Sequence, residues 1–547
     1  MANEPFLRFT KIPSIFILLL GMLVLAGIGV AHTFPPATSS LPKSNSVFSA
    51  SRAMQHVQRI GVKPHPAGSQ ANLTVRQYLI AQLEIMGLQP EVQSAQYQQD
   101  KDFINNVLVK VSGAKPGKAL MLMAHYDSVP TGPGAADDGA SVAAILETLK
   151  VLKNQTDLQN DLFCLFTDGE ELGLLGAKAF IKQHPLAKKI AMVLNFEYRG
   201  NSGAFMMFET SDGNGKLIDG LAKAVPFVLS NSLMYEVYKR LPNDTDFTVF
   251  KHADIPGMNF AAIEGHQSYH SPLDRPEHLN QDSLQHEGDI MLALVNHFGN
   301  QNIEDLSAEN HIYFDFPGLG LCHYPIVWSI PLSGLVVLMF IALFMVNYKK
   351  RSIRILPVLF SVFFYLMLIG LLYFGNRYIW SCLRLWHPDY QNLAHYDTSQ
   401  SYNYLAGFIL LNVAIFAGFY LLAKKWFKPL EISCGITTDW LILTLLTMNN
   451  GINFLFIWPL LSVLLTFSLV NLPYINSHSV YKAAILLAGS APGLLLFTPL
   501  IKNLFVGLTL SNISIILLFL SLILGLLISV LTFLNPSNSK VNIISAV

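Results

Sequence analysis

The sequence predicts an α/β fold, a mainly parallel mixed sheet flanked by helices, fused to an all-α multi-span transmembrane domain. Three observations predict it. Strand-like apolar runs alternate with helical patterns between residues 119 and 263, which builds a parallel sheet covered on both faces. Acidic and histidine clusters fall at or just after the ends of those runs, where sites in such sheets lie. From residue 325 onward the chain is mostly apolar runs of membrane length.

Residues 1–11 form a short tail bearing Arg8 and Lys11. The apolar run that follows exceeds the ~7–15 residues of a secretory h-region and approaches the ~20 of a spanning helix. Residues 12–34 are therefore read as a retained anchor, with Gly29-Val30-Ala31 as an alternative cleavage site. Residues 35–48, rich in Pro and Ser, form a linker. Residues 49–305 have mixed, globular composition and enough length to bury an enzyme core. Apolar spacing over 57–88 fits two short helices. Strands are expected at 119–124, 161–167, 190–196 and 256–263, and helices at 141–153 and 172–183.

Residues 306–324 read as a second linker and 325–534 as the membrane domain, with a tail at 535–547. Candidate spans are 325–347, 355–375, 404–423, 439–448, 452–472, 481–500 and 512–534. The segment 439–448 is too short to cross, and Asn449-Asn450-Gly451 suggests a tight hairpin or re-entrant turn. Lys349-Lys350-Arg351 with Arg354, and Lys424-Lys425 with Lys428, mark cytoplasmic loops. Counting from them places 49–302 outside the cytoplasm, in agreement with Arg8 and Lys11 before the anchor.

The 36 basic residues balance the 36 acidic ones and form no block of nucleic-acid type, so DNA and RNA are not expected partners. The four cysteines are scattered and form no CxxC, which gives no sign of a structural zinc site.

The chemistry is concentrated in five clusters. They read A-H-Y-D at 124–127, A-A-D-D-G at 135–139, D-G-E-E-L-G at 168–173, N-F-E at 195–197 and Y-H-S at 269–271. Two histidines and several carboxylates without a thiolate suit a pair of Zn²⁺ ions. In a strand, His125 and Asp127 face the same way, so Asp127 can accept the ring N–H that His125 does not need for metal. Asp137-Asp138 follows a Gly/Pro-rich turn, and one of the two can bridge ions ~3.5–4 Å apart. Glu170 and Glu171 diverge at a strand end, so one can bind metal while the other takes a proton from an activated water.

Read together, A-H-Y-D-S-V, G-P-G-A-A-D-D-G, D-G-E-E-L-G-L-L-G-A and Y-H-S-P-L-D resemble peptidase family twenty-eight. This is the co-catalytic dizinc aminopeptidase and glutamate carboxypeptidase family. The resemblance covers about residues 49–298, and the plan of anchor, peptidase and multi-span half is similar to the membrane-bound branch. It implies a zinc aminopeptidase-like fold, two Zn²⁺ per site and peptide substrates. It further implies His125, Glu171, Glu197 and His270 as ligands, with Asp137 bridging both ions. Glu170 would be the general base, Asp127 would orient His125, and Tyr269 would stabilise the oxyanion. The tyrosine before it and the S-P-L-D after it select His270 over His266, His278 and His286.

The leading expectation is thus an aminopeptidase acting on peptides outside the cytoplasm and embedded in a lipid bilayer. Compact loops favour a bacterial inner membrane facing the periplasm; a vacuolar or endoplasmic reticulum membrane facing the lumen is the eukaryotic counterpart. The same scaffold also supports carboxypeptidase, deacylase or glutaminyl cyclase chemistry. A non-catalytic receptor would lack ligands that are all present here, and a transporter would carry more intramembrane charge than these spans do.

Overall fold

The computed structural model describes residues 11–38, 44–96, 103–115, 117–153, 158–391, 398–472, 475 and 479–534. Most of the tail expected at 1–11, and all of that at 535–547, lie outside the described residues. The chain divides into two compact units, Phe34–Ile326, and Met1–Thr33 with Val327–Val547.

After α1 (Lys11–Ala31), which belongs to the second unit, the first unit begins with α2 (Ala50–Ile60) and α3 (Gln70–Ile85). There follow β1 (Glu91–Gln96), β2 (Phe103–Val111), β3 (Ala119–His125), α4 (Gly139–Leu152), β4 (Asp161–Thr167), α5 (Leu175–Gln183) and β5 (Ile190–Tyr198). Next are β6 (Met206–Thr210), α6 (Gly215–Ala224), β7 (Leu229–Ser230), α7 (Ser232–Tyr238) and α8 (Asp246–His252). The unit closes with β8 (Gly257–Ala262), α9 (Gln281–Phe298), β9 (His311–Phe316) and β10 (Gly320–Pro325).

Eight strands form one sheet in the order β1-β2-β4-β3-β5-β8-β6-β7. The central four, β4, β3, β5 and β8, run parallel, so their carboxyl ends share one edge. All four are buried along their whole length, as expected for strands covered on both faces. Their side chains alternate between two cores. Leu120, Leu122, Leu162, Cys164 and Phe166 pack with α2, α3, α4, α6 and α9. Met121, Met123, Phe163, Leu165 and Val193 pack with Phe180 of α5 and Phe247 and Phe250 of α8. Side-chain caps set several helix starts: the Ser69 hydroxyl accepts the Asn72 N–H, and the Asn280 amide oxygen accepts that of Ser283.

The strands expected from the sequence are all present, with ends shifted by at most two residues. The outer strands β1, β2, β6 and β7 were not expected. β1 (E-V-Q-S-A-Q) is a largely exposed edge with almost no apolar signal, and Asn105-Asn106 interrupts the apolar run of β2. The helix expected at 172–183 starts only at Leu175. Gly169, Gly173 and Leu174 all take positive φ, which folds D-G-E-E-L-G-L into a turn ahead of it. The stretch read as a linker at 306–324 instead holds the antiparallel hairpin β9–β10.

The second unit continues with α10 (Ser329–Lys349), α11 (Ile355–Trp386), α12 (Ser401–Ala423), α13 (Pro429–Leu446), α14 (Phe454–Val470), α15 (Ser479–Leu508) and α16 (Ile513–Leu531). Among the described residues, these seven segments are long and apolar enough to cross a membrane. α1 packs along α15, and a Cβ at Gly21 or Gly29 would collide with Leu487 or Thr498, so these small residues permit the close approach. Asn376 of α11 and Asn412 of α12 exchange two amide hydrogen bonds of 2.9 and 3.0 Å in the buried interior.

The short span expected at 439–448 is the last part of the 18-residue helix α13. Residues 430–438 carry too few apolar side chains to signal a span, yet they are helical and their polar side chains find partners. Glu431 is gripped by the Arg354 guanidinium at 2.8 and 3.0 Å, and Thr437 and Thr438 return their hydroxyls to backbone carbonyls one turn back. Asp439, the first residue of the expected short span, therefore lies mid-helix and buried.

Candidate metal centre

The parallel order β4-β3-β5-β8 brings four chain segments to one sheet edge. His125 ends β3, and Glu170 and Glu171 lie in the turn that follows β4. That turn requires left-handed backbone at Gly169, where a Cβ would also come within 2.9 Å of Ile104. Glu197 is the penultimate residue of β5, and His270 lies in the loop after β8. Asp137 is delivered by the loop between β3 and α4. This loop turns at Gly134, whose positive φ and contact with Ser128 exclude a side chain.

The two oxygens of Asp137 face different histidines. Oδ1 lies 3.1 Å from Nε2 of His125, and Oδ2 lies 3.2 Å from Nε2 of His270. Glu197 Oε2 approaches His125 Nε2 at 3.5 Å, and Glu171 Oε1 approaches His270 Nε2 at 3.2 Å. Two donor triads result, His125/Asp137/Glu197 and Asp137/Glu171/His270, each with its donor atoms within 4.8 Å of one another. His125, Glu170 and Glu171 form a third such group. His125, Asp137 and Glu197 are buried, whereas the His270 side chain is partly exposed.

The donors fit a zinc pair. Glu171 Oε1 and His270 Nε2 are buried and hydrogen-bonded to nothing, although they point at each other. Unpaired buried polar atoms of this kind are costly unless another group satisfies them. Imidazole and carboxylate without thiolate is a donor set for Zn²⁺, and three protein ligands per ion leave a coordination position for water or substrate.

Asp127 is placed differently from the sequence reading. The Nδ1–H of His125 donates to the backbone carbonyl of Asp127 at 3.0 Å, with the carboxylate farther away at 3.5 Å. That bond still selects the tautomer that frees Nε2. The Asp127 carboxylate instead accepts the backbone N–H groups of Glu170 and Glu171, at 3.1 and 3.3 Å. One residue thereby positions both a histidine and the glutamate pair.

The electrostatics follow from burial and crowding. Burial favours neutral His125, but Asp127, Asp137 and Glu197 outweigh it and hold the ring well above its usual value. His270 is likewise raised to about 9, with Asp137 and Glu171 overcoming burial. Burial, with Glu197, Asp246 and Glu171, lifts the Glu170 carboxyl well above the ordinary range against the opposing pull of His125. Burial and then Asp137, Glu171 and Glu170 keep the Tyr269 hydroxyl protonated, and its ring stacks on His270 at 3.7 Å between centroids.

Of the two adjacent acids that the sequence offers as a bridge, Asp137 reaches both histidines, whereas Asp138 accepts the His125 backbone N–H at 3.1 Å. Two residues of the site escaped sequence reasoning. Asp274 accepts the backbone N–H groups of Ala136 and Asp137, at 2.7 and 3.2 Å. Asp246, at the start of α8, bonds the Thr167 hydroxyl at 2.5 Å beside the Glu170 turn. Of these, Asp274 carried a signal, since it ends the S-P-L-D run that selected His270.

The family model described as Peptidase family M28 matches residues 106–295. Endoplasmic reticulum metallopeptidase 1 of Mus musculus is 30% identical over 338 residues, covering 56% of this chain and 37% of that protein. Vacuolar membrane protease of Candida albicans is 29% identical over 371 residues, covering 63% of this chain and 42% of that protein. The chain thus spans well under half the length of these curated relatives. Among solved structures, a zinc aminopeptidase from Bacillus subtilis covers 47% of this chain and 95% of its own, at 17% identity and a TM-score of 0.39.

Proposed function

From the premise that residues 106–295 are a domain of peptidase family M28, we propose that the protein is a membrane-anchored dizinc metallopeptidase. It removes amino-terminal residues from peptides outside the cytoplasm. The observation that carries this reading is the single Asp137 carboxylate with one oxygen 3.1 Å from His125 and the other 3.2 Å from His270. A bridging carboxylate between two three-donor sites is the arrangement a two-metal hydrolase requires. In this reading, residues 12–34 anchor the chain, 49–305 carry the peptidase, and 325–534 form the multi-span membrane domain.

His125, Asp137 and Glu197 would hold one ion, and His270, Glu171 and Asp137 the other. Bound zinc would supply Lewis acidity, lowering the pKa of a water from ~15.7 towards ~7 and polarising the scissile carbonyl. Glu170 accepts the proton of the attacking water and returns it to the leaving amine. Asp127 sets the height of Glu170 by holding its backbone N–H, and Tyr269 offers a protonated hydroxyl to the developing oxyanion.

The test is the full-length protein, purified in detergent with zinc, against matched free-amino and amino-blocked peptide libraries. Release of single residues from free amino termini alone supports the reading. Cleavage from the carboxyl end, deacylation of blocked peptides or glutaminyl cyclisation would each reassign the chemistry to a related amidohydrolase.

A further inference from the structure

Glu197 is a longer ligand than an aspartate would be, and something must choose which of its oxygens faces the metal. The layer of the sheet beneath α8 is largely apolar, with Met121, Met123, Phe163, Leu165, Val193, Phe247 and Phe250. Besides the Thr167–Asp246 pair at the site, a polar row crosses it. Asn195 of β5 pairs directly with Asn259 of β8, and Asn259 pairs with Glu209 of β6. A register shift between Met207 and Glu209 brings Glu209 to that position. All three side chains are at most 1% exposed.

The hydrogen bonds converge on the Glu209 carboxylate at one end of the row and on Glu197 at the other. Lys251 of α8, a quarter exposed, donates to Glu209 Oε1. Glu209 Oε2 accepts from the Asn259 amide at 3.0 Å, and that amide's other hydrogen goes to the Thr245 hydroxyl at 2.8 Å. The Asn259 carbonyl accepts from Asn195 at 3.0 Å, and Asn195 spends its remaining hydrogen on Glu197 Oε1, again at 3.0 Å. Glu197 Oε2 is left as the oxygen 3.5 Å from His125 Nε2. The charge on Glu209 fixes which way the Asn259 amide points, and Asn259 in turn fixes Asn195. A flipped Asn195 would set its oxygen against a carboxylate. Both amide hydrogens of Asn195 are used, while its Oδ1 is buried without a hydrogen-bond partner, so the row is held at a cost that its orienting role would offset.

We propose that Asn195, Asn259, Glu209 and Lys251 are positioning residues that make Glu197 a one-oxygen ligand of the ion it shares with His125 and Asp137. The inference rests on the dizinc reading above. Residues beneath a ligand of this kind change metal affinity by about 10–100-fold when removed.

The experiment uses full-length protein in detergent, stripped with chelator and titrated with zinc by calorimetry. In a His270→Ala background, which isolates the His125–Asp137–Glu197 pocket, Asn195→Leu and Asn259→Leu should each weaken binding about 10–100-fold. Lys251→Met, at the partly exposed end, should weaken the same binding by a smaller factor and decides the matter if the leucine variants do not fold. In a Glu197→Asp background the Asn195→Leu effect should vanish, because the shorter carboxylate no longer reaches the amide; a merely structural role would leave it undiminished. Wild type taking up two ions while all three variants bind the isolated site normally would overturn this inference alone. Wild type taking up none would overturn the metal-centre reading and this inference with it.

Discussion

The carboxylate of Asp274 accepts the backbone N–H of Asp137 at 3.2 Å, so the residue that reaches both histidines is itself held by an acid from the loop that carries His270. This contact ties the two halves of the centre together across 137 residues of chain. Asp274→Ala should release the loop before α4 and lower zinc affinity by about 10-fold or more, read by titration of stripped protein. Asp274→Asn, which keeps one acceptor oxygen, should lose less.

Glu170→Gln should retain both zinc ions and the fold while lowering kcat by about 10²–10⁴-fold, because only the proton acceptor is deleted. Metal analysis and steady-state kinetics on the same preparation check it. Metal lost in step with activity would reverse the roles of Glu170 and Glu171.

Asp137→Ala should abolish binding of both ions, whereas His270→Ala and Glu197→Ala should each cost one. Asp138→Ala should be milder, since Asp138 holds the His125 backbone N–H and not the metal face. Zinc stoichiometry distinguishes these outcomes.

What was legible in the sequence was whatever repeats along the chain or is chemically conspicuous. The four central strands announce themselves as short apolar runs, and the carboxylates and histidines at their ends stand out by residue type. β1 and Asn195 were not legible for opposite reasons. β1 is an edge strand that needs no apolar face. Asn195 takes its orientation from cross-strand pairing with Asn259, 64 residues away. The role of Asp127 was half legible: its place beside His125 follows from strand geometry, but its grip on the Glu170 turn depends on how β3 and β4 align. The start of α13 was hidden because Glu431 reads as a charge until Arg354 is seen beside it.

Acid sensitivity should come partly from His286. Its Nδ1 accepts the Phe205 N–H, so Nε2 carries the proton and donates to the Phe227 carbonyl, and burial depresses the ring from 6.5 to about 4. A depressed pKa means the folded state binds fewer protons than the unfolded state between those values. The contribution is therefore present above about pH 6.5 and is lost as pH falls towards 4, a drop worth roughly 3 kcal/mol at most. Urea midpoints from pH 7 to 4.5 should fall less steeply in His286→Gln than in wild type.

Single cysteines in a chain whose four native cysteines are replaced by serine should report orientation. Gln301→Cys and Asp389→Cys should react with a membrane-impermeant thiol reagent on intact cells, and Ser352→Cys should not. Labelling of Ser352→Cys without Gln301→Cys would turn the peptidase towards the cytosol.

The reciprocal amide pair of Asn376 and Asn412 has a consequence for how this protein can vary. Each asparagine bonds the other in an apolar interior, and Asn412 also donates to the Phe408 carbonyl, so replacing Asn412 by leucine strands Asn376 at a cost of about 1–2 kcal/mol, whereas replacing Asn376 leaves Asn412 that one bond. Replacing both removes the need and the supply at once and should be tolerated better than either single change. Those two positions, 36 residues apart, are therefore free to change only in concert.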